Sequence, residues 1–401
     1  MSLFLDWTQL NGRIISSNKK VALYGRSEDW VHKALGKITS EPQVIIDRNP
    51  KYSNTSFYGV RVCPIEAVNH TEYFFVITAG DYEGIVEGLE SRGLIAGIDF
   101  ACSPDFKDYR LIKDFYDRTN CVLISCSDYN DRTRARSSSL GGGLFWFDTE
   151  SGELVKKVEG SFRQIEIIDE KIYAVEYVNG ELWVLESNLK VLDRWKLPGT
   201  NICGLAVDAE DKIAYSANAG NDQIYVSDLS QSAKVIETLE FFSRPGLKRE
   251  SHVNDLTFCA EKLFVSCFST SGNYKHGVFD GGVLQLDLKT QELAGPLLSG
   301  LWKPHSPRLI DGNLMVLDSM RGDLVFGTGE RLNVGGFVRG LDANNNSYFI
   351  GQSQDMYISD RLSQGSAIPV DPGFYVLDKL SFASRFYPLP KLMNVHDLRV
   401  L

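Results

Sequence analysis

Apolar positions change their spacing partway along the chain. Between residues 20 and 104, short β-rich runs alternate with runs of helical spacing. "KKVALYG", "PQVIID" (ending in Asp47), "YFFVITAG" and "IAGIDF" read as buried strands. "DWVHKALGKI" and "YEGIVEGLESRG", the latter closed by Gly93, read as helices. Strands and helices alternating over short connections predict a small α/β domain, a parallel sheet of Rossmann-like type, over residues 1–105. Residues 106–120, "FKDYRLIKDFYDRTN", predict a polar linking helix. From Cys121 onward the helical period is gone, and only short strands and turns follow.

That second region repeats itself. Six hairpin-like segments recur: "GGLFWFDTESGEL", "GELWVLESNLKVL", "DQIYVSDLSQSAKV", "GGVLQLDLKTQEL", "GDLVFGTGERLNV" and "GFYVLDKLSFASRF". A second strand pair precedes most of them: "RQIEIIDEKIYAVE", "CGLAVDAEDKIAYSAN", "NDLTFCAEKLFVSCF", "HSPRLIDGNLMVLDS" and "VRGLDANNNSYFIGQ". The two missing halves lie at the ends of the region, "CVLISCS" at 121–127 and "NVHDLRVL" at 394–401. Joined, they complete a sixth pair. Residues 121–401 therefore predict an all-β six-bladed β-propeller, four strands per blade, its ring closed by strands from both ends of the region. A two-sheet sandwich, the rival, explains neither the six repeats nor the complementary ends.

Aligning the expected inner strands on the leucine or isoleucine that follows brings one polar arrangement into register. It comprises Arg163–Gln164, Asn201–Cys203, His252–Asn254–Asp255, His305–Arg308, Arg339 and Asn394–His396–Asp397. Three of the six histidines fall within it. Residues two apart on a strand share a face, so His252 and Asn254 are expected to point together toward a central channel. Three long loops, 128–142, 269–282 and 353–373, fall on the same side of the ring as the starts of the inner strands. That channel mouth is where a ligand site is expected.

Bulk properties narrow the partners. The chain has 401 residues, 43% of them hydrophobic, and a net charge of −10. An acidic balance argues against general nucleic-acid binding, which needs a basic surplus. No run reaches the ~18 apolar residues of a membrane span. Seven cysteines, with no CxxC pair, and an N-terminus without a signal-peptide pattern predict buried free thiols in a cytoplasmic protein. The N-x-S/T matches at Asn54, Asn69 and Asn345 then carry no meaning.

Two resemblances add to this. "VALYG", "VIIDRNPKYSNTSFYGVRVCPIEAV" and "FVITAGDYEGIVEGLESRG" resemble the small Rossmann-like domain ahead of bacterial sugar acyltransferases and related sugar-modifying enzymes. The chain departs from that pattern after the first strand. "GRSEDW" has one glycine, Gly25, and two acidic side chains, Glu28 and Asp29, where a pyrophosphate would need backbone N–H groups. The resemblance then implies a docking or degenerate sugar-nucleotide module, with nucleotide binding not expected. Further on, "PHSPRLIDGNLMVLDSMRGDL" and "GFVRGLDANNNSYFIGQS", with "HVNDLTF" upstream, resemble an uncharacterised bacterial propeller family carrying H-S-P-R and R-G-L blocks. That likeness implies the fold and the site's location, and no activity.

The candidate chemistry has three readings. In the plainest, the inner-ring polar groups satisfy one another and channel waters. In the second, the chain is an enzyme acting on an anionic, sugar-derived small molecule as a lyase, epimerase or hydrolase. His252, His305 and His396, with Asp255 or Asp397, would bind a divalent transition metal, or would act as acid and base without one. Arg163, Arg308 and Arg339, with Asn254, would hold the substrate, and Arg132, Arg134 and Arg136 in a mouth loop would attract it. In the third, the propeller binds an anionic glycan, a nucleotide-sugar or a protein without catalysis, and the N-terminal domain docks it to a sugar-modifying enzyme. His32 and His70 read as surface residues and His276 as a lid contact. Trp146 and Trp183 fall on third strands and read as packing between blades. No Walker-A, H-E-x-x-H or G-x-S-x-G pattern is present.

Overall fold

The computed structural model describes residues 2–127, 129–130, 135–136, 140–240, 251–354 and 368–401, the pairs 129–130 and 135–136 by backbone only. The chain divides into two compact units, Met1–Asp117 and Arg118–Leu401.

In the first unit a six-stranded mixed sheet runs in the order 56–57, 60–63, 42–46, 20–24, 73–77, 100–102. Neighbours are parallel except the short edge hairpin of 56–57 with 60–63. Three of the four strands expected from the sequence are present; "IAGIDF" is mostly turn and the fourth strand starts only at its last residue, running Phe100–Cys102, and the hairpin in "SFYGVRVC" adds two. Successive side chains leave a strand on opposite faces. Ala22, Tyr24, Val44, Ile46, Phe75 and Ile77 therefore bury against helix Tyr82–Glu90 through Tyr82, Ile85 and Leu89. Val21, Leu23, Ile45, Phe74 and Val76 bury on the other face against Leu10 and Ile14 of helix Trp7–Ser17 and Val31 and Ala34 of helix Glu28–Leu35. The sequence reading did not foresee helix Trp7–Ser17. Its start is marked by a capping box, in which Asp6 accepts from the Gln9 N–H and the Asp6 N–H donates to Gln9 Oε1.

The second unit contains six four-stranded antiparallel sheets. In chain order the inner strands are Phe162–Ile168, Ile202–Asp208, Val253–Cys259, Pro304–Ile310, Phe337–Ala343 and Asn394–Val400, which begin blades one to six. The sixth blade runs Asn394–Val400, Cys121–Ser127, Gly143–Asp148, Leu154–Glu159, so the chain's last strand pairs with the first strand of the region. This is the closure expected from the two half-pairs. The ring leaves no inner edge open.

The core lies in slices between blades. Leu144 and Val158 of blade six meet Phe162 and Trp183 of blade one. Ala217 and Ile224 of blade two meet Val253 and Leu263 of blade three. Phe147 of blade six meets Phe374 and Tyr387 of blade five edge-on. Trp183 and Trp146 lie in the slice between blades six and one, as the sequence implied. Among the described residues no helix is long and apolar enough to cross a membrane.

Candidate functional site

Every inner strand slips register once against its neighbour, and always near its start. Such a bulge sets extra residues against the partner strand and re-aims their side chains. The bulged residues are Arg163–Gln164, Cys203, Asn254–Asp255, Ser306–Pro307, Arg339–Gly340 and His396. Most of the polar residues singled out from the sequence occupy these six bulges.

The common register expected for three histidines does not hold. The ladder places His252 one residue before its strand, His305 second in its strand and His396 in the bulge itself. The leucine used for alignment follows the bulge at a different distance in different blades. His252 also has φ 53°, outside the extended region, so it does not share a strand face with Asn254.

The three rings have separate surroundings. His252 stacks on Phe268 at 4.3 Å and lies 4.8 Å from Tyr274. His305 meets the same Phe268 edge-on, at 5.2 Å, and Phe337 at 5.9 Å. Both rings therefore pack against one phenylalanine. His305 Nδ1 lies 2.9 Å from the Lys303 carbonyl and 2.6 Å from Ser319 Oγ. A carbonyl only accepts, so Nδ1 carries the proton and Nε2 keeps its lone pair. Burial first, then Arg339, holds the His305 pKa well below its usual range, so the ring stays neutral.

His396 sits between two arginines. Arg163 Nη1 lies 2.8 Å from both of its ring nitrogens, and Arg339 Nη1 lies 3.1 Å from Nδ1. Guanidinium nitrogens only donate, so the imidazole must offer a lone pair and remain neutral. Burial, then Arg163 and Arg339, depresses its pKa well below the usual value. The Arg163 guanidinium also lies 4.0 Å over the Tyr177 ring, and that of Arg339 4.8 Å over Phe337.

These contacts decide the metal question on geometry. A divalent cation needs several imidazole or carboxylate donors converging on one point. Here two of the histidines pack against Phe268, His305 Nδ1 is held by the Lys303 carbonyl and Ser319 Oγ, and two buried guanidinium groups face the third. Among the described residues no group of three His, Cys, Asp or Glu side chains is placed to hold a metal. The residues do not fit the metal expected at His252, His305 and His396.

The acidic residues are tied to backbone. Asp255 Oδ2 accepts from the Ser306 N–H at 2.7 Å, linking blades three and four. Burial pushes its pKa up to about 6, against that bond and the charges of Arg339, Arg308 and Arg163. Asp397 accepts from the Ile165 N–H and from Arg308 and Arg399. Arg308 also binds Glu166 at 2.5 Å, so it belongs to a closed ionic network rather than to the anion-facing group expected of it. Asn254 is buried, and its Nδ2 has no acceptor among the described residues. Arg132 and Arg134 lie outside the described residues, as does the Arg136 side chain. His276 is exposed in the short 3-10 helix Tyr274–His276, and His32 is exposed on its helix.

Tyr177, Phe268 and Ser319 escaped the sequence reading. Each is the residue just after the second strand of its blade, following Glu176, Cys267 and Asp318. Aligning the ends of the second strands would have found all three.

The profile of a domain of unknown function, DUF4915, matches residues 214–368, from the second strand of blade two into blade five. That is less than half of the chain. No curated protein sequence matches it. Among solved structures, a protein of unknown function from Bacteroides caccae is 12% identical, with a TM-score of 0.49, over 71% of this chain and 99% of that one. A structure of a nidogen/laminin complex is 8% identical, with a TM-score of 0.48, over 71% and 98%. An auxiliary nutrient binding protein from Bacteroides thetaiotaomicron is 12% identical, with a TM-score of 0.39, over 58% and 74%. The propeller assignment rests on the strand order of this chain itself.

Proposed function

We propose that the propeller binds a small organic anion at one mouth of its central channel. The observation that carries this reading is the meeting of two buried arginines from opposite sides of the ring closure, Arg163 and Arg339, on the single imidazole of His396. Guanidinium pairs of this kind match carboxylate, phosphate or sulfate oxygens. The Asn254 amide would supply a further donor. That the anion is sugar-derived rests on the resemblance of the N-terminal region alone.

A titration series tests this. Thermal shifts and calorimetry with gluconate, glucuronate and sulfate, against neutral glucose, should show stabilisation by the anions only. Arg163→Ala or Arg339→Ala should weaken anion binding about 10- to 100-fold, the usual worth of a charge-assisted contact. No shift with any anion sinks the reading.

Catalysis is the second reading, and the fixed tautomer of His305 favours it. A neutral imidazole with its lone pair on Nε2 is a general base. Lyase, epimerase or hydrolase chemistry on the bound anion would then be lost in His305→Asn while anion binding persists.

For the N-terminal unit, five parallel strands in the order 60–63, 42–46, 20–24, 73–77, 100–102 support a doubly wound, Rossmann-like reading. Its phosphate loop is degenerate in this reading. A side chain on Gly25 would come within 2.2 Å of the Ala79 Cβ, so this glycine serves strand packing. Glu28 and Asp29 open the following helix. We read the unit as a docking module for a sugar-modifying enzyme. Seven free cysteines suit a reducing, cytoplasmic setting.

A further inference from the structure

We propose that the channel mouth takes a tetrahedral dianion, the group a phosphate monoester carries, and that His396 becomes its third donor by taking up one proton as the dianion binds. This rests on the anion site proposed above and names the class of ligand it takes. Arg163 of blade one and Arg339 of blade five reach the same imidazole on blade six. Arg163 Nη1 lies 2.8 Å from both ring nitrogens, and Arg339 Nη1 lies 3.1 Å from Nδ1. Both guanidinium tips are within hydrogen-bond reach of one nitrogen, so a single anionic group can span them. The donors come from three adjacent blades, five, six and one, so they approach one point from three directions.

Donor and acceptor chemistry selects the class. Guanidinium groups only donate, and the neutral imidazole offers one lone pair, at the Nδ1 that both arginines touch. A carboxylate would spend its two oxygens on the two arginines. A tetrahedral phosphoryl group brings a third terminal oxygen, and the imidazole between the arginines is placed to meet it. To donate there, Nδ1 takes a proton from solvent while Nε2 keeps its own. The ring turns from neutral to cationic as two negative charges arrive beside it, which favours the charged form. By linkage, the proton and the dianion raise each other's affinity by the same factor.

The surroundings of the ring single it out. The strands packed against Asn394–Val400 carry Arg163 and Glu166 on Phe162–Ile168, Arg339 and Asp342 on Phe337–Ala343, Cys121 and Cys126 on Cys121–Ser127, and Tyr348 on Ser347–Ser353. Its own strand adds Asp397 and Arg399, and His305 acts on it from blade four. The acids are committed elsewhere. Glu166 binds Arg308, Asp342 accepts from the Val400 N–H, and Asp397 accepts from the Ile165 and Leu398 N–H groups and from Arg308 and Arg399. Among the described residues, Arg163 and Arg339 are the charged groups in hydrogen-bond contact with the ring. Burial, then these two cations, keeps the imidazole neutral before binding. His305 does not share the role, because its Nδ1 is committed to the Lys303 carbonyl and its ring packs on Phe268 and Phe337.

Sulfate is the probe, because it is a tetrahedral dianion that does not titrate between pH 5 and 8. Calorimetry of the full chain at pH 6 should show sulfate bound about tenfold or more tightly than gluconate, the worth of one further charge-assisted contact. The ring's pKa is low before binding and raised by the dianion, so sulfate affinity should fall as pH rises from 6 to 7.5, by up to about tenfold per unit. Binding heats at pH 6, in two buffers of different ionisation enthalpy, should report close to one proton taken up per sulfate. In protein isotopically labelled at the histidine rings, one of the six imidazole signals should move to the imidazolium position when sulfate is added. His396→Gln keeps an acceptor for the arginines and a donor for the third oxygen. It should bind sulfate with no proton uptake and with equal affinity at pH 6 and 7.5. Gluconate bound as tightly as sulfate, sulfate bound without proton uptake, or uptake that persists in His396→Gln overturns this inference and leaves the anion site standing. Absence of binding by every anion at every pH overturns the anion site itself. The wild-type proton count and imidazole shift decide the matter even if His396→Gln does not fold.

Discussion

Gln164 uses both ends of its amide on other blades. Its Oε1 accepts from the Leu205 and Leu256 N–H groups, and its Nε2 donates to the Leu256 carbonyl at 2.6 Å. Asp255, Ser306, Asp342 and Asp397 each bind a backbone N–H of the next blade in the same way. Much of the inner-ring polarity is therefore mortar between blades. Asp342 gives a pH test of this. Burial raises its folded pKa to about 6 from an ordinary 3.8. The folded chain binds this proton more tightly than the unfolded chain. Its stabilising contribution is thus full below about pH 4 and is lost as pH rises through 6, a swing of roughly 3 kcal/mol at 1.36 kcal/mol per unit. Asp342→Asn keeps an acceptor for the Val400 N–H. Urea melts should find it more stable than wild type at pH 7.5, by roughly 1–3 kcal/mol, with the gap closing by pH 4.5. A gap independent of pH would show that Asp342 does not titrate as described.

At the scale of the strand, the six bulges set which side chains reach the channel. A sequence alignment on leucine treats each inner strand as an unbroken period of two. The ladder shows that Leu256 and Leu341 pair immediately after their bulges, and Leu309 one residue later. One extra residue moves every later side chain to the other face, so three histidines in one written register end at three levels. Gly340 shows how closely adjacent inner strands approach. It has φ 76°, and an added Cβ would lie 2.8 Å from the Asp397 Cα. Gly340→Ala should lower stability by about 2–4 kcal/mol, from left-handed backbone strain plus a backbone clash. Gly295, on the exposed outer strand of blade three, has nothing within 4 Å of the same added atom. Gly295→Ala should stay within about 0.5 kcal/mol of wild type. Equal urea midpoints for the two variants would refute the close approach.

At the scale of the whole molecule, the ring depends on its last strand. Asn394–Val400 pairs with Cys121–Ser127, inserts Val395 and Leu398 fully into the core, accepts from the Ile165 N–H of blade one and donates the Val400 N–H to Asp342 of blade five. Deleting residues 394–401 removes two buried apolar side chains, each worth about 1.5–3 kcal/mol, and a full ladder of hydrogen bonds. Together these approach the 5–15 kcal/mol by which a domain is stable. The truncated chain should lose the cooperative thermal transition of the propeller, followed by near-UV circular dichroism. Melting within a few degrees of the full chain would mean that the ring holds without its closing strand.

The six repeats and the two complementary half-pairs were legible along the chain because strand periodicity and turn chemistry are local. They suffice for a six-bladed ring and for naming the strands whose starts line the channel. Three of the N-terminal strands were legible for the same reason. The partners of Arg163, Arg339, His305 and His396 were not, because they come from blades far apart in sequence and are aimed by bulges. Whether three histidines can meet depends on the aromatic and carbonyl partners of two of them and on two guanidinium groups against the third. Those are distances between non-local side chains, and only the closed ring sets them.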